Sequence, residues 1–162
     1  MIFLTVGTQF GFDRLVKAVD ECIEKGLIEH EIFAQIGEGK YLPKNMKYVK
    51  TMDKVDYDRA VEECDGLISH AGMGSIAMAF SHQKPLLVMP RRACFGEVVN
   101  DHQIEISSLF QEEGYLLAAM NEGDIPDKIS LLMEFGPKIR ESRAQPIINE
   151  INNFLKQWQN MI

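Results

Sequence analysis

The sequence predicts an α/β protein: a Rossmann-like, doubly wound domain whose mostly parallel sheet is covered by helices on both faces. Short apolar runs alternate along the chain with longer amphipathic stretches, which is the pattern of repeated βα units. The length of 162 residues and the hydrophobic fraction of 46% suit one domain with a single buried core. We therefore expect residues 1–162 to form one domain.

Six apolar runs are the predicted strands. Each is five or six residues long and is followed by a polar or glycine-containing segment. In chain order the runs are IFLTV (2–6), EIFAQI (31–36), KYVKTM (47–52), GLISH (66–70), PLLVMP (85–90) and GYLLAA (114–119).

The stretches between these runs predict helices. In residues 12–26 apolar side chains recur at helical spacing, and Gly26 follows as a common C-terminal cap. The other predicted crossover helices are DYDRAVEEC (56–64), GSIAMAFSHQ (74–83) and NDHQIEISSLFQEEG (100–114). Helices that connect parallel strands cover both faces of the sheet.

Two terminal helices are expected within about residues 122–162. IPDKISLLMEF (125–135) predicts the first and QPIINEINNFLKQWQNMI (145–162) the second, where Pro146 suits a first helical turn. The second has an apolar stripe formed by Ile147, Ile151, Phe154, Leu155, Trp158 and Ile162. The stripe either covers the domain's own sheet or, through Trp158, docks against a partner.

Composition excludes several classes of function. With 17 basic and 24 acidic residues the formal net charge is −7, which disfavours a broad grip on nucleic acid or anionic lipid. No apolar run spans a bilayer and the N-terminus does not have the pattern of a signal peptide, so we expect a cytoplasmic protein. Cys22, Cys64 and Cys94 are too widely spaced for a zinc knuckle, and no metal or cofactor is expected.

Ligands of open α/β sheets collect beyond the carboxyl ends of the strands, and the first such segment here is VGTQFGF. Gly7 permits a tight turn after the first strand, while Thr8 and Gln9 offer polar side chains. A plain turn explains this segment as well as a binding loop does.

The stretch SHAGMGSIAMAF (69–80) is the second segment and predicts an anion site. Gly72, Met73, Gly74 and Ser75 stand at a predicted helix start, where the two glycines let a phosphate approach free backbone N–H groups and Ser75 adds a hydroxyl. His70 at the end of the strand either donates to a phosphate or satisfies nearby backbone.

The third segment, PRRACFGEVVNDHQIE, places two arginines after the fifth strand and four polar residues at the start of the next helix. The candidate binding residues are Arg91, Arg92, Asn100, Asp101, His102 and Gln103. The alternatives are that the arginines are a solvated surface and that Asp101 only complements the helix dipole.

A dinucleotide site is a rival interpretation. Residues 72–77 match G-x-G-x-x-A, and Arg91 follows about 20 residues later, as an NADP site requires. However, this turn follows the fourth predicted strand and not the first, and the rival leaves VGTQFGFD and NDHQ unexplained.

Taken together, FLTVGTQFGFDRLV, ISHAGMGSIAMAFSHQKPLLVMPRR and NDHQIEIS resemble the C-terminal, donor-binding half of family 28 glycosyltransferases, over roughly residues 1–120. The resemblance implies half of a GT-B fold that binds a UDP-sugar. It also implies a separate membrane-associated subunit that binds the acceptor, recruits this chain to the cytosolic membrane face and supplies the general base. The acceptor would be a polyprenyl-diphosphate-linked saccharide, and self-association of the isolated chain stays open.

Carried over, the resemblance places the diphosphate near Gly7, Thr8 and residues 72–75, with Asp101 and Gln103 near the sugar hydroxyls and His70 in the same cleft. Family members commonly bind the ribose hydroxyls with a glutamate where this chain has Met78. A thioether is no substitute for that bidentate acceptor. Either Glu97 reaches the ribose, or the donor differs, or the chain is a non-catalytic nucleotide-binding subunit.

Overall fold

The computed structural model describes residues 1–138. They form one six-stranded sheet with the order β3-β2-β1-β4-β5-β6, in which every neighbouring pair is parallel. The strands are β1 (Ile2–Thr5), β2 (Ile32–Gln35), β3 (Lys47–Val49), β4 (Gly66–His70), β5 (Leu86–Met89) and β6 (Leu117–Ala118). All six predicted strands are present, so the predicted Rossmann-like, doubly wound fold class is confirmed.

Five helices connect or follow the strands in this part of the chain. They are α1 (Asp13–Glu24), α2 (Lys54–Glu63), α3 (Met73–Ser81), α4 (His102–Glu112) and α5 (Ile125–Leu132). The chain leaves α1 through Gly26 at φ 67°, as its predicted role in the cap requires. The predicted helix over 145–162 and its apolar stripe lie outside the described residues.

Alternating strand residues divide the core into two layers. Ile2 and Leu4 of β1 pack with α1 and α5 on one face, whereas Phe3 packs with α2 and α3 on the other. All three side chains are fully buried. Burial on both faces explains why the strands read as continuous apolar runs and not as an alternation of apolar and polar residues.

The sheet order fixes where a ligand can bind. The chain winds outward from β1 to β3 on one side and from β4 to β6 on the other, so the crossovers diverge between the adjacent strands β1 and β4. In open α/β sheets the crevice beyond the carboxyl ends of such a strand pair is the usual binding site. Here that crevice is bounded by the segment after Thr5 and by the α3 turn (residues 70–75).

Candidate functional site

A cavity of about 400 Å³ lies beyond β1 and β4, beside the N-terminus of α3. We call it the α3 pocket. Its lining residues are Val6, Gly7, Thr8, Gln9, Tyr57, His70, Gly74, Ser75, Met78 and Arg91. Half of the sequence-predicted binding residues therefore meet in one place.

The first turn of α3 presents its backbone to this pocket. Gly72 is the N-cap and has no side chain to bond the free amides of the turn. A Cβ built on Gly74 would meet no atom within 4 Å, so the space above this residue is open. An anion in the pocket would approach backbone N–H groups at the positive end of the helix, beside the Ser75 hydroxyl.

His70 fills the gap between the two glycine loops. A Cβ on Gly7 would lie 2.8 Å from Cε1 of the ring, and a Cβ on Gly72 would overlap its Nε2. Gly7 also has φ 82°, which an L side chain rarely adopts. Both glycines are therefore required by the packing of the imidazole, whereas only Gly74 leaves room for a ligand.

Hydrogen bonds from the strands determine which nitrogen of His70 carries the proton. The buried Ser69 Oγ donates to the Thr5 carbonyl at 2.8 Å and lies 3.2 Å from Nδ1 of His70. A hydroxyl has one proton to donate, so Nδ1–H is the donor to Ser69 and Nε2 is left as an acceptor. Burial, with the charge of Arg91 adding to it, lowers the pKa of His70 to about 4. The ring is neutral at physiological pH.

A second cavity of about 460 Å³ opens beside the N-terminus of α2, and we call it the α2 pocket. It shares Thr8, Tyr57 and Met78 with the α3 pocket. Its other lining residues are Gln35, Thr51, Met52, Asp53, Lys54 and Asp58. The two pockets thus adjoin along one shared wall.

Gln35 holds the two loops that border the α2 pocket. Its amide donates to the carbonyl of Gly7 at 3.2 Å and to that of Lys50 at 3.1 Å. Its side-chain oxygen accepts from Oγ1 of Thr5 at 2.7 Å. Because the side chain is only 4% exposed, these bonds are shielded from water and fix the spacing of the loops.

The segment between β5 and α4, the β5–α4 loop (residues 90–101), is tied to the rest of the domain by Arg91. This residue is 4% exposed, so the alternative of a solvated arginine does not hold for Arg91. Its Nη2 donates to the carbonyls of Val6 at 2.9 Å and Phe10 at 2.8 Å, and its guanidinium carbon lies 5.1 Å from the ring centroid of Phe12. Arg91 thus positions the β1–α1 loop while lining the α3 pocket.

Glu97 lines neither the α3 pocket nor the α2 pocket. Its carboxylate pairs with Arg14, which donates to it through Nε at 2.8 Å and Nη2 at 2.9 Å, and it also accepts from the backbone N–H of Arg92. The side chains of Arg14 and Glu97 are 11% and 14% exposed. Arg92 itself donates away from the pockets, to the carbonyl of Met120 at 2.6 Å.

The polar residues around the start of α4 also bond within the chain. Asp101 precedes the helix without capping it, and its carboxylate accepts from the N–H of Ala93 at 2.8 Å. Gln103 accepts from the N–H of Arg91 at 3.0 Å, and Asn100 accepts from that of His102 at 3.3 Å. None of these four predicted residues, 100–103, lines the α3 or α2 pocket. Asn100 borders a separate open groove of about 650 Å³ near Phe10.

Sequence reasoning missed several residues of the site. Tyr57 lies on the amphipathic helix α2, where an aromatic residue is indistinguishable in sequence from core packing, and its ring does pack edge-on to Phe3 at 5.6 Å. Burial raises the pKa of Tyr57, while the hydroxyls of Thr5 and Ser75 act to lower it. Thr51 and Met52 fall within the predicted strand 47–52, which stops at Val49 in the structure.

Within residues 1–138 no cluster of His, Cys, Asp and Glu is arranged to hold a metal ion. The same residues contain no helix long and apolar enough to span a membrane.

The strand order and the glycine-lined pocket at its switch point define a doubly wound α/β domain with a candidate ligand site at the usual place. The particular family follows from the sequence: the family model described as "Glycosyltransferase family 28 C-terminal domain" matches residues 1–158, and the chain belongs to that family. This assignment supports the resemblance seen in the motifs over the dinucleotide rival.

Curated relatives carry the name UDP-N-acetylglucosamine transferase subunit ALG13. The mouse protein is 31% identical over 141 residues, which is 81% of this chain and 12% of the relative. A Cryptococcus neoformans relative is 33% identical over 84 residues, which is 51% of this chain and 40% of the relative. The chain therefore spans between about a tenth and two fifths of the length of these relatives.

Solved structures agree on the fold. The crystal structure of MurG from Acinetobacter baumannii matches with a TM-score of 0.63 and 18% identity, covering 93% of this chain and 49% of that one. The NMR solution structure of ALG13 matches with a TM-score of 0.58 and 19% identity and covers 93% of both chains. The domain is thus equivalent in fold to about half of a GT-B glycosyltransferase such as MurG.

Proposed function

We propose that this chain is the donor-binding part of a UDP-sugar-dependent glycosyltransferase. The observation that carries the proposal is the α3 pocket, which combines a helix N-terminus, the open face of Gly74 and the Ser75 hydroxyl at the switch point of the sheet. The family match and the name of the relatives support a nucleotide-sugar as its ligand. A UDP-linked hexose is the proposed donor, and UDP-N-acetylglucosamine is the first to assay because the relatives bear it in their name.

In this proposal the two pockets bind different parts of the nucleotide. The diphosphate occupies the α3 pocket, where backbone N–H groups and the partial positive charge of the helix oppose its negative charge. The nucleobase lies in the α2 pocket, bordered by Met52 and by the loops that Gln35 holds. The formal net charge of −7 makes such local recognition necessary, because the whole molecule repels an anion.

The chemical contribution of this half is to stabilise the leaving group. When the bond from the sugar to the diphosphate breaks, negative charge grows on the UDP oxygens, and donors already positioned around them lower the barrier. His70 is a poor candidate for the general base, because with a pKa of about 4 its ring binds a proton only weakly near neutral pH. We assign deprotonation of the acceptor hydroxyl to the other half of the enzyme.

The acceptor half belongs to a second, membrane-associated subunit. The family model is that of a C-terminal domain, and the MurG match covers only about half of that enzyme. The acceptor is a polyprenyl-diphosphate-linked saccharide, and the partner recruits this chain from the cytoplasm to the cytosolic membrane face. The competing function is a nucleotide-binding subunit without catalytic activity, which Met78 favours.

Calorimetry with UDP and with NADPH on the purified chain tests which of these two classes of ligand it binds. We expect heat of binding from UDP and none from NADPH, and the reverse result would end the proposal. Turnover of UDP-sugar donors by the chain alone and by the chain copurified with its membrane subunit then separates the two functions. Transfer only by the pair supports the half-enzyme, whereas donor binding without transfer by the pair supports a non-catalytic subunit.

A further inference from the structure

The wall shared by the two pockets is where the pentose of a bound nucleotide must lie. If the diphosphate occupies the α3 pocket and the nucleobase the α2 pocket, the sugar that joins them passes the three residues common to both, Thr8, Tyr57 and Met78. This inference rests on the proposed function, and it concerns which nucleotides the same site accepts.

None of these three side chains offers a bidentate acceptor for the two hydroxyls of a ribose. Met78 presents a thioether, which is a weak acceptor, and packs partly buried against the apolar layer under α3. The Tyr57 hydroxyl already lies near Thr5 and Ser75, both of which influence its pKa. Thr8 is exposed and has a single hydroxyl.

The remaining acceptors around the α2 pocket either bond within the protein or are buried. Asp53 caps α2 by accepting from the N–H of Asp56 at 2.8 Å. One oxygen of Asp58 accepts from Lys54 at 2.6 Å, and the other, which has no partner among the described residues, is buried and therefore closed to a ligand. The amide group of Gln35 uses both its oxygen and its nitrogen within the protein.

From this wall we infer that Met78 makes the site indifferent to the 2′-hydroxyl, so that the chain binds 2′-deoxyribonucleoside diphosphates about as well as ribonucleoside diphosphates. A hydroxyl that gains no protein partner loses its contacts with water on binding and gains little in return. A 2′-deoxy pentose has only a C–H bond at this position, which suits the thioether of Met78. The accepted donors are therefore nucleoside diphosphate sugars of either pentose type.

Calorimetry with UDP and dUDP on the full-length chain measures this directly. We expect dissociation constants within about threefold of each other, because no charged hydrogen bond to the 2′-hydroxyl is lost. A preference for UDP of about twentyfold or more would overturn the inference, since it requires a strong acceptor at the pentose. Failure of both ligands to bind would instead refute the proposed function.

Met78→Glu, with Met78→Leu as its matched control, tests the residue itself. The glutamate restores a charged acceptor, so we expect the preference for UDP over dUDP to rise about tenfold or more, whereas leucine leaves it unchanged. Circular dichroism verifies that both variants fold. Equal preferences in the two folded variants would show that residue 78 does not face the pentose and would overturn the inference. Tyr57→Phe tests the other hydroxyl at this wall: if the native chain does prefer UDP, loss of that preference in this variant would identify Tyr57, and not Met78, as the determinant and would overturn the inference.

Discussion

The α3 turn and the β5–α4 loop follow neighbouring strands at the same edge of the sheet, but their polar groups differ in whether they bond within the protein. In the β5–α4 loop the charged groups satisfy one another or the backbone: Glu97 binds Arg14, Arg91 binds carbonyl oxygens, and Asp101 binds an amide. In the α3 turn the amides face a cavity, and the space above Gly74 is open.

The difference shows what distinguishes a binding residue from a structural one. Arginines and carboxylates in a loop suggest a binding site in a sequence, but buried charges that bond within the protein have less capacity left for a ligand. Small residues at a helix start have side chains that form few hydrogen bonds. The backbone N–H groups around them are therefore left unpaired and can bind a ligand. Each prediction below separates these two roles, beginning with the largest effect.

Gly74→Val should abolish UDP binding while leaving the fold intact. The new side chain projects into the open space of the α3 pocket, where it meets no protein atom but blocks the approach of a phosphate to the backbone. The measurement is calorimetry with UDP, accompanied by thermal unfolding. Gly136→Val is the matched control, because a Cβ there also meets no atom within 4 Å. Unchanged affinity in folded Gly74→Val would remove the diphosphate from this turn.

Glu97→Ala should destabilise the domain and leave UDP affinity nearly unchanged. Removing one partner of a largely buried ion pair leaves Arg14, among the described residues, with only its longer, 3.7 Å contact to the half-exposed carboxylate of Glu122 as a charge partner, which costs about 3 kcal/mol in the free energy of unfolding. Urea titration measures this. Glu31→Ala is the control, since the pair of Glu31 with Lys47 is mostly solvent-exposed and such pairs contribute about 0–1 kcal/mol. A loss of UDP binding without a loss of stability would place Glu97 in contact with the nucleotide instead.

The fold was predictable because the signals for its elements are local. Each apolar run gave one strand, and Gly26 marked the end of α1. The errors are at boundaries: β3 ends at Val49 because residues 50–52 turn into the loop of the α2 pocket, and β6 is only Leu117–Ala118 because Gly114 ends α4 at φ 76° just before it.

The site was predictable only in part, because its polar partners are distant in sequence. Arg14 and Glu97 are separated by 83 positions. The sequence of the β5–α4 loop alone therefore does not indicate that the carboxylate of Glu97 already pairs with an arginine. Gln35 lies inside the predicted strand 31–36, and only the sheet order shows that it stands between two loops that border the pockets. By contrast, the amides of the α3 turn depend on local helix geometry, which the sequence does encode.

Ser75→Ala should weaken UDP binding by about tenfold, which is the loss of one hydrogen bond to a charged group. The hydroxyl lines the α3 pocket but is one donor among several backbone amides, so binding persists. Calorimetry with UDP measures the change, and Ser130→Ala, which removes an exposed hydroxyl on α5, is the control. A result indistinguishable from the control would mean that the backbone of the turn alone binds the phosphate.

The smallest expected effect is a pH dependence of stability that belongs to His70. Burial, followed by the charge of Arg91, lowers the pKa of this ring to about 4 in the folded chain, whereas an unfolded histidine titrates near 6.5. The unfolded state therefore binds more protons between these values, so His70 contributes full stability above about pH 6.5 and loses it progressively as the pH falls toward 4. From about pH 7 to about pH 5.5 the loss is about 1 kcal/mol. Urea titration at both pH values measures it, and subtracting the same difference for His70→Gln removes the contribution of every other group. Because the ring packs between Gly7 and Gly72, an equal pH dependence in the two chains would mean that the imidazole is solvated and that the two loops are not joined through it.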